Sequence, residues 1–304
     1  MNYPLVSIIS VNYDHPEVTC QLLSSLRLIS YPNIEIIVVD NASPNDDPSV
    51  IPNSFPEVHF IRSNENLGFA GGNNLGIRIA KGKYVLLLNN DTEVDSGFLE
   101  PLVAKFESDP AAGAVSPKIK FFHTPDTLQF AGLSPVNPYT IRSRGYGYGV
   151  KDTGQFDQDA ITHFVHGAAM MVPMAVIRKV GLMAECYFLY YEELDWATRI
   201  KNAGYTLWYI HNAVVLHKES ISTGRMSKLK IYYMNRSRLL YLRRNTSGFP
   251  FLVAILYQLC VSIPKNALMY LVKGETSLFK AYHKAVTWHV KNLFDKKIYA
   301  NPEF

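Results

Sequence analysis

Residues 84–95 read Tyr-Val-Leu-Leu-Leu-Asn-Asn-Asp-Thr-Glu-Val-Asp, an apolar run that gives way at once to amides and carboxylates. The run is too short for a buried helix and fits a parallel strand covered on both faces. The polar residues after it then stand at a strand's carboxyl end, where open α/β sheets bind their ligands. Asn89, Asn90 and Asp91 offer the hard oxygen donors that Mg2+ or Mn2+ prefers. Two readings follow: a divalent metal held against a diphosphate, or a plain turn leading into a helix cap.

The neighbouring pattern supplies the rest of such a sheet. Strands are expected at 6–11, 34–39, 58–61 and 114–120, with helices at 16–28, 75–81 and 97–107 and a loop at 40–57. This alternation predicts an α/β fold built on a doubly wound, mainly parallel sheet flanked by helices. Residues 64–74 are rich in glycine, so a loop there lets the backbone approach a ligand while the next helix offers N–H groups to phosphate. A tight turn with no ligand is the alternative. Neither Gly-x-Gly-x-x-Gly nor Gly-x-x-x-x-Gly-Lys-Ser/Thr occurs, which disfavours a nicotinamide or P-loop enzyme.

Residues 124–158 carry Gly, Pro, Tyr and Arg without period and read either as an irregular loop able to close over a substrate or as a disordered segment with no role. A further helix spans 190–199 and stops at Gly204. Glu192, Asp195 and Arg199 share one of its faces as an ion-pair set, which leaves Glu193 to point elsewhere. Short strands at 207–210 and 213–216 precede His217. A histidine there is either a half-buried packing residue or part of a site built with the two carboxylate clusters.

At 304 residues, 48% hydrophobic and 18% charged, the chain can bury a large core and is too long for a minimal domain. Its net charge of +4 is unevenly placed, with Arg225, Lys228, Lys230, Arg236, Arg238, Arg243 and Arg244 crowding one segment. Such a cluster suits an anionic membrane or nucleic acid, or is a solvated helix face. Cys20, Cys186 and Cys260 form no Cys-x-x-Cys pair, which points to a reducing compartment and away from a zinc site. Met-Asn-Tyr-Pro carries no charged leader before an apolar stretch, so no secretory signal is expected.

Six segments in order resemble the family 2 glycosyltransferases of the GT-A fold, most closely the bacterial rhamnosyltransferase-like members. They are residues 6–13 (Val-Ser-Ile-Ile-Ser-Val-Asn-Tyr), 37–43 (Ile-Val-Val-Asp-Asn-Ala-Ser), 64–74, 87–92 (Leu-Leu-Asn-Asn-Asp-Thr), 191–199 (Tyr-Glu-Glu-Leu-Asp-Trp-Ala-Thr-Arg) and His217. The resemblance implies that Asn12, Tyr13 and Asp40 hold the nucleoside and that Asn66 lies against the nucleotide sugar. It sets Asn90 and Asp91 at the donor, with Asp91 matching the last carboxylate of the family's Asp-x-Asp motif and meeting the metal. Asn89 replaces the motif's first aspartate, so the metal site loses a formal charge. Glu193 matches the catalytic base, and His217 a histidine that joins the metal or diphosphate in some members.

The implied activity is metal-dependent, inverting transfer of a hexosyl-type sugar, with rhamnose a candidate, from a UDP- or dTDP-sugar to a saccharide or lipid-linked acceptor in surface polysaccharide synthesis. Mn2+ or Mg2+ is the implied metal, nucleic acid is not an expected partner, and a homodimer is compatible. A sugar nucleotidyltransferase is the alternative on the same fold, but its Gly-rich, Arg/Lys-bearing loop is missing after Val11. A non-catalytic module binding glycan or nucleic acid explains the basic cluster and gives Asp91, Glu193 and His217 no reason to occur together.

The catalytic domain is assigned to 1–245 and a helical C-terminal extension to 246–304. Phe249 to Ile263 is an apolar run that Pro264, Lys265 and Asn266 interrupt before Val272, so it is too short to span a bilayer and suits a helix lying in the interface. Leu278, Tyr282, Ala285, His289 and Leu293 follow at helical spacing, with Lys280, Lys284, Lys291, Lys296 and Lys297 available to anionic headgroups. Peripheral contact through 249–297 at the cytoplasmic face of a membrane is one expectation; packing on the domain or on a second subunit is the other.

Overall fold

The computed structural model describes residues 3–218 and 227–304. The first strand, β1 (Val6–Asn12), is followed by α1 (Pro16–Leu26), β2 (Ile34–Asp40), the short α2 (Val50–Ser54) and β3 (His59–Arg62). Then come α3 (Gly68–Ile79), β4 (Tyr84–Leu88), β5 (Thr92–Val94), α4 (Leu99–Ser108), β6 (Ala112–Phe121) and β7 (Thr124–Phe130). After a long connection the chain forms β8 (Ala160–Thr162), β9 (Ala169–Pro173), α5 (Met174–Val180), α6 (Glu192–Asn202) and β10 (Thr206–His217). Helices α7 (Lys228–Asn245), α8 (Gly248–Tyr257), α9 (Ile263–Val272) and α10 (Thr276–Lys291) complete it.

These strands form one sheet in the order β3-β2-β1-β4-β9-β6-β10-β5, with β7 beside β6 and β8 beside β10. β3, β2, β1 and β4 run parallel, as do β6 and β10, whereas β9 enters antiparallel between β4 and β6. Alternation sorts the apolar strand residues onto two faces. Ile8, Val38, Leu86 and Leu88 join the core beneath α1 and α4, and Ile9, Val39, Val85 and Leu87 join the core beneath α3, α5 and α6. Double cover explains why the strands read as unbroken apolar runs.

Several expectations are corrected. Only 64–67 of the glycine-rich stretch precede the helix: α3 begins at Gly68, and Gly71 and Gly72 lie in its first two turns, where they pack. A Cβ on Gly76 would stand 2.5 Å from Ile9 Cγ2 and one on Gly72 3.0 Å from Val11 Cγ1, so their absence lets α3 lie close on β1. The loop expected at 40–57 holds α2, and the irregular 124–158 segment opens with β7, an edge strand whose exposed Thr-Pro-Asp start hid it. The two strands expected before His217 are one, β10, which runs on through a register shift between Ile210 and Val214. Pro264 does not end its helix either, because a π-turn at Gln258–Ser262 joins α8 to α9 and leaves the proline in α9's first turn.

The basic cluster is mostly turned inward. Arg236 donates to the carbonyls of Cys186 and Tyr187, Arg238 to the Tyr191 hydroxyl at 3.0 Å, Arg243 to the carbonyls of Asn292 and Leu293, and Arg244 to Asp195 at 3.0 Å. Arg225 lies outside the described residues.

Candidate active site

β1 and β2 stop together, with Asn12 paired in register with Asp40, β4 ends two residues short of that level, and a cavity of about 520 Å³ opens beyond these ends. Its lining brings together Tyr13, Asn66, Asn89, Asn90, Asp91, Glu193 and His217, residues drawn from across the chain. Glu192, Gln129, His166, Tyr148, Tyr233 and Lys230 line it as well.

Asn12 and Asp40 are not among the lining residues. Asn12 donates to Asp40 Oδ1 at 2.8 Å and accepts from Thr19 Oγ1 at 2.7 Å, while Ser43 supplies its N–H and hydroxyl to Asp40. Both are buried and hydrogen-bonded to one another, which braces the ends of β1 and β2 beneath the cavity. Asn41, from the same turn, faces the cavity instead and donates to Asn66 Oδ1 at 3.1 Å. Asn66 Oδ1 also accepts the Gly68 N–H at 2.9 Å, which fixes its side chain at the start of α3.

The start of α3 is not free to receive phosphate through its leading N–H groups. Leu67 donates to Asn41 Oδ1, Gly68 to Asn66 Oδ1 and Phe69 to the Phe188 carbonyl at 2.7 Å. Gly68 has φ +68, and a Cβ on it would lie 2.2 Å from the Phe188 oxygen, so only glycine fits there.

Asp91 and His217 face each other across the cavity wall. Asp91 Oδ1 and His217 Nε2 are 3.1 Å apart, yet neither makes a hydrogen bond and both are shut off from solvent. His217 Nδ1 is 2.7 Å from Gln129 Oε1, a carbonyl-type acceptor that fixes the ring so that Nε2 faces the carboxylate. Two buried ligand-type atoms at this distance without hydrogen bonds suit a shared cation. A divalent ion with ligands at about 2.1 Å sets adjacent ligand atoms roughly 3.0 Å apart, so the donor set fits Mg2+ or Mn2+. His166, whose ring centroid is 6.2 Å from that of His217, is held neutral: burial and the neighbouring His217 push its pKa down to about 3. Its Nδ1 accepts the Ala168 N–H.

The loop entering α6 presents the carboxylates. Phe188, Tyr190 and Tyr191 all have positive φ, a cluster of backbone strain that persists only when held. α7 holds it: Arg236 grips the carbonyls of Cys186 and Tyr187, Ser237 Oγ donates to the Leu189 carbonyl, and Arg238 to the Tyr191 hydroxyl. The loop turns both Glu192 and Glu193 into the cavity. The expected ion-pair face is therefore corrected. Asp195 pairs with Arg199 and with Arg244, both at 3.0 Å, and accepts from Tyr187 and Asn245, but Glu192 takes no part. Burial pushes the Glu193 carboxyl up to about 7, and burial together with the Glu193 charge pushes Glu192 well above the carboxylate range. Each has one buried oxygen without a hydrogen-bond partner. A Cβ on Gly167 would lie 3.3 Å from Glu193 Oε1, so glycine leaves room for that carboxylate.

Gln129 and Tyr148 were illegible in advance because they belong to the aperiodic segment. This wall brings together an Asp/His pair suited to a cation, a carboxylate with raised pKa, and room for a ligand between. The family model for glycosyl transferase family 2 matches residues 7–181, and the chain belongs to that family. Glu193 and His217 lie beyond the matched span. A low-salt glycan biosynthesis hexosyltransferase, Agl10, of Haloferax volcanii is 28% identical over 77% of this chain and 74% of its own length. An N-acetylglucosaminyl-diphospho-decaprenol L-rhamnosyltransferase of Mycobacterium tuberculosis is 23% identical over 81% of this chain and 86% of its own. The fold is that of the GT-A glycosyltransferases. A mannosyltransferase from Pyrobaculum calidifontis, solved with GDP-Man and Mn2+, superposes with TM-score 0.58 at 17% identity, covering 97% of this chain and 89% of that one. GalNAc-T7, solved with UDP, GalNAc and Mn2+, gives 0.59 at 15% identity over 84% of this chain and 55% of that one.

Proposed function

We propose that the chain is an inverting glycosyltransferase that moves a hexosyl-type sugar, with rhamnose the leading candidate, from a UDP- or dTDP-sugar to a saccharide or lipid-linked acceptor during surface glycan synthesis. The observation that carries this is the convergence of Asp91, His217 and the Glu192–Glu193 pair on one cavity at the strand ends. The glycan-building relatives supply the acceptor class.

In this reading Tyr13, Asn41 and Asn66 border the nucleoside and sugar, and Lys230 offers positive charge to the anionic donor. Asp91 and His217 would hold Mn2+ or Mg2+, which when bound supplies countercharge for the leaving diphosphate. Asn89 in place of a carboxylate makes the net charge of that donor set less negative. Glu193 accepts the proton of the acceptor hydroxyl as its oxygen attacks the anomeric carbon opposite the leaving group, so the configuration inverts. Its raised pKa makes it a stronger base than an ordinary carboxylate once ionised. Residues 1–245 form the catalytic unit, α7 included, because α7 clamps the loop that carries Glu193.

The test is a thermal-shift panel of nucleoside diphosphate sugars with Mn2+, Mg2+ or a chelator, followed by donor turnover with and without acceptor. One donor that raises the melting point only with metal, and that is turned over, supports the reading. No stabilisation by any nucleoside diphosphate with either metal refutes it.

A further inference from the structure

The chain's positive charge is not spread over the sheet domain. Residues 246–304 carry seven lysines against Glu275, Asp295 and Glu303, a net +4 that equals the net charge of the whole chain and leaves residues 1–245 neutral. All seven lysines, Lys265, Lys273, Lys280, Lys284, Lys291, Lys296 and Lys297, are exposed.

Among the described residues, most of the exposed large apolar side chains lie in the same segment. Helix α8, its π-turn and α9 run unbroken over Gly248–Val272, with mean hydropathy 1.5 in the most apolar stretch and only 17% of that stretch buried. Phe249, Leu252, Leu256 and Leu259, at spacings of three and four, form one stripe, and with Leu268 they are between 52% and 71% exposed. Val290, Leu293 and Phe294, at the end of α10, are bare too, Phe294 at 91%. The opposite side of the helix is tied down: Ala254, Gln258, Ser262 and Tyr270 are buried, Gln258 Nε2 donates to the Thr140 carbonyl and Tyr270 packs on Tyr282.

We infer that this face docks in the plane of an anionic lipid surface. Length alone would let the helix span a bilayer, but one side is fastened to the domain, and Lys265 and Asn266 fall within its course. An apolar stripe in a segment rich in exposed lysines is the pattern of an interfacial helix. Net positive charge gathered in that segment matches a negative headgroup layer, whereas a second copy of this chain would bring the same charge and repel. The docked helix touches the 124–158 segment at Thr140 and Arg142, and that segment reaches the cavity at Tyr148, so lipid surface and cavity share an element. The proposal goes beyond sugar transfer and stands without it.

The test is co-sedimentation of the full-length chain with vesicles of equal parts phosphatidylglycerol and phosphatidylcholine, and with phosphatidylcholine alone. Binding is expected to the anionic vesicles, to weaken with salt, and to fall about tenfold or more in Lys280→Glu/Lys284→Glu. Leu252→Glu/Leu256→Glu should abolish it, and because these side chains are exposed its melting point should match the wild type. No binding to anionic vesicles, or binding that both variants retain, overturns the inference. So does a dimer in sedimentation velocity that Leu252→Glu/Leu256→Glu dissociates, which would assign the face to a second copy. Since vesicle binding needs neither donor nor metal, its failure is separable from a failure of the transfer reading.

Discussion

Replacing Glu193 with glutamine should cost activity and gain stability, each with its own pH signature. Burial raises its carboxyl from 4.5 to about 7, with the neighbouring Glu192 hydrogen bond and backbone donors opposing only part of the rise. As folded pKa exceeds unfolded pKa, the native state binds the extra proton between these values. The stabilisation it brings is therefore full below about pH 4.5 and is lost as pH rises through about 7. Above that, keeping the carboxylate ionised in its buried place costs up to about 3 kcal/mol. Glu193→Gln removes the charge while keeping the shape, so its melting point should exceed that of the wild type by several degrees at pH 8 and by nothing near pH 4.5. Turnover should move the other way, falling about a hundredfold or more with donor-induced stabilisation preserved. The wild-type rate should climb through neutral pH with a midpoint near 7, the pH at which half of the base is ionised. Paired melts across pH 4.5–8 and single-turnover transfer assays check both halves. A stability difference that is flat with pH, or near-wild-type turnover, would refute the burial argument and the base assignment respectively.

The other expectations are shorter. Asp91→Ala and His217→Ala should each abolish the metal-dependent part of donor binding in calorimetry, since each removes one of two opposed donor atoms; metal-dependent binding that survives in both would locate the ion elsewhere. Gly76→Val should destabilise the fold by about 1–3 kcal/mol in urea, because its side chain must enter space that Ile9 occupies. Asp195→Ala strands the buried Arg199 and Arg244 guanidinium groups and should cost about 3–5 kcal/mol, with an unchanged denaturation midpoint as the contrary result.

The sheet was readable because double cover makes its strands apolar throughout, as in Tyr84–Leu88, where no polar residue interrupts the run. Direction was not readable: Ala169–Pro173 has the composition of a parallel core strand, and only its neighbours on either side make it antiparallel. Glycines at 68, 71 and 72 suggested a ligand loop, whereas close approach to Phe188, Leu67 and Val11 demands the same residue type and leaves no distinguishing mark in the chain. Asp91, Glu193 and His217 were legible from the family's motifs, and they do meet at one cavity. Glu192 was placed on the wrong face because the helical wheel assumes a regular entry, while left-handed Tyr190 and Tyr191 aim the first turn of α6 inward. Asn12 and Asp40 come from the same motifs as the cavity residues Tyr13 and Asn41, and the hydrogen bond that joins them is a tertiary fact that no spacing reveals.

The place of β9 carries a lesson about the order of assembly. β1 to β4 are synthesised early, yet the open side of β4 has no partner until residues 169–173 emerge, some eighty positions later. Until then a nascent half-molecule presents a bare, wholly apolar strand edge at the middle of the future sheet, the kind of edge that captures foreign strands. Fragments ending before residue 169 should accordingly clump when expressed, and chaperones that shield extended apolar chain should matter most during that interval of translation.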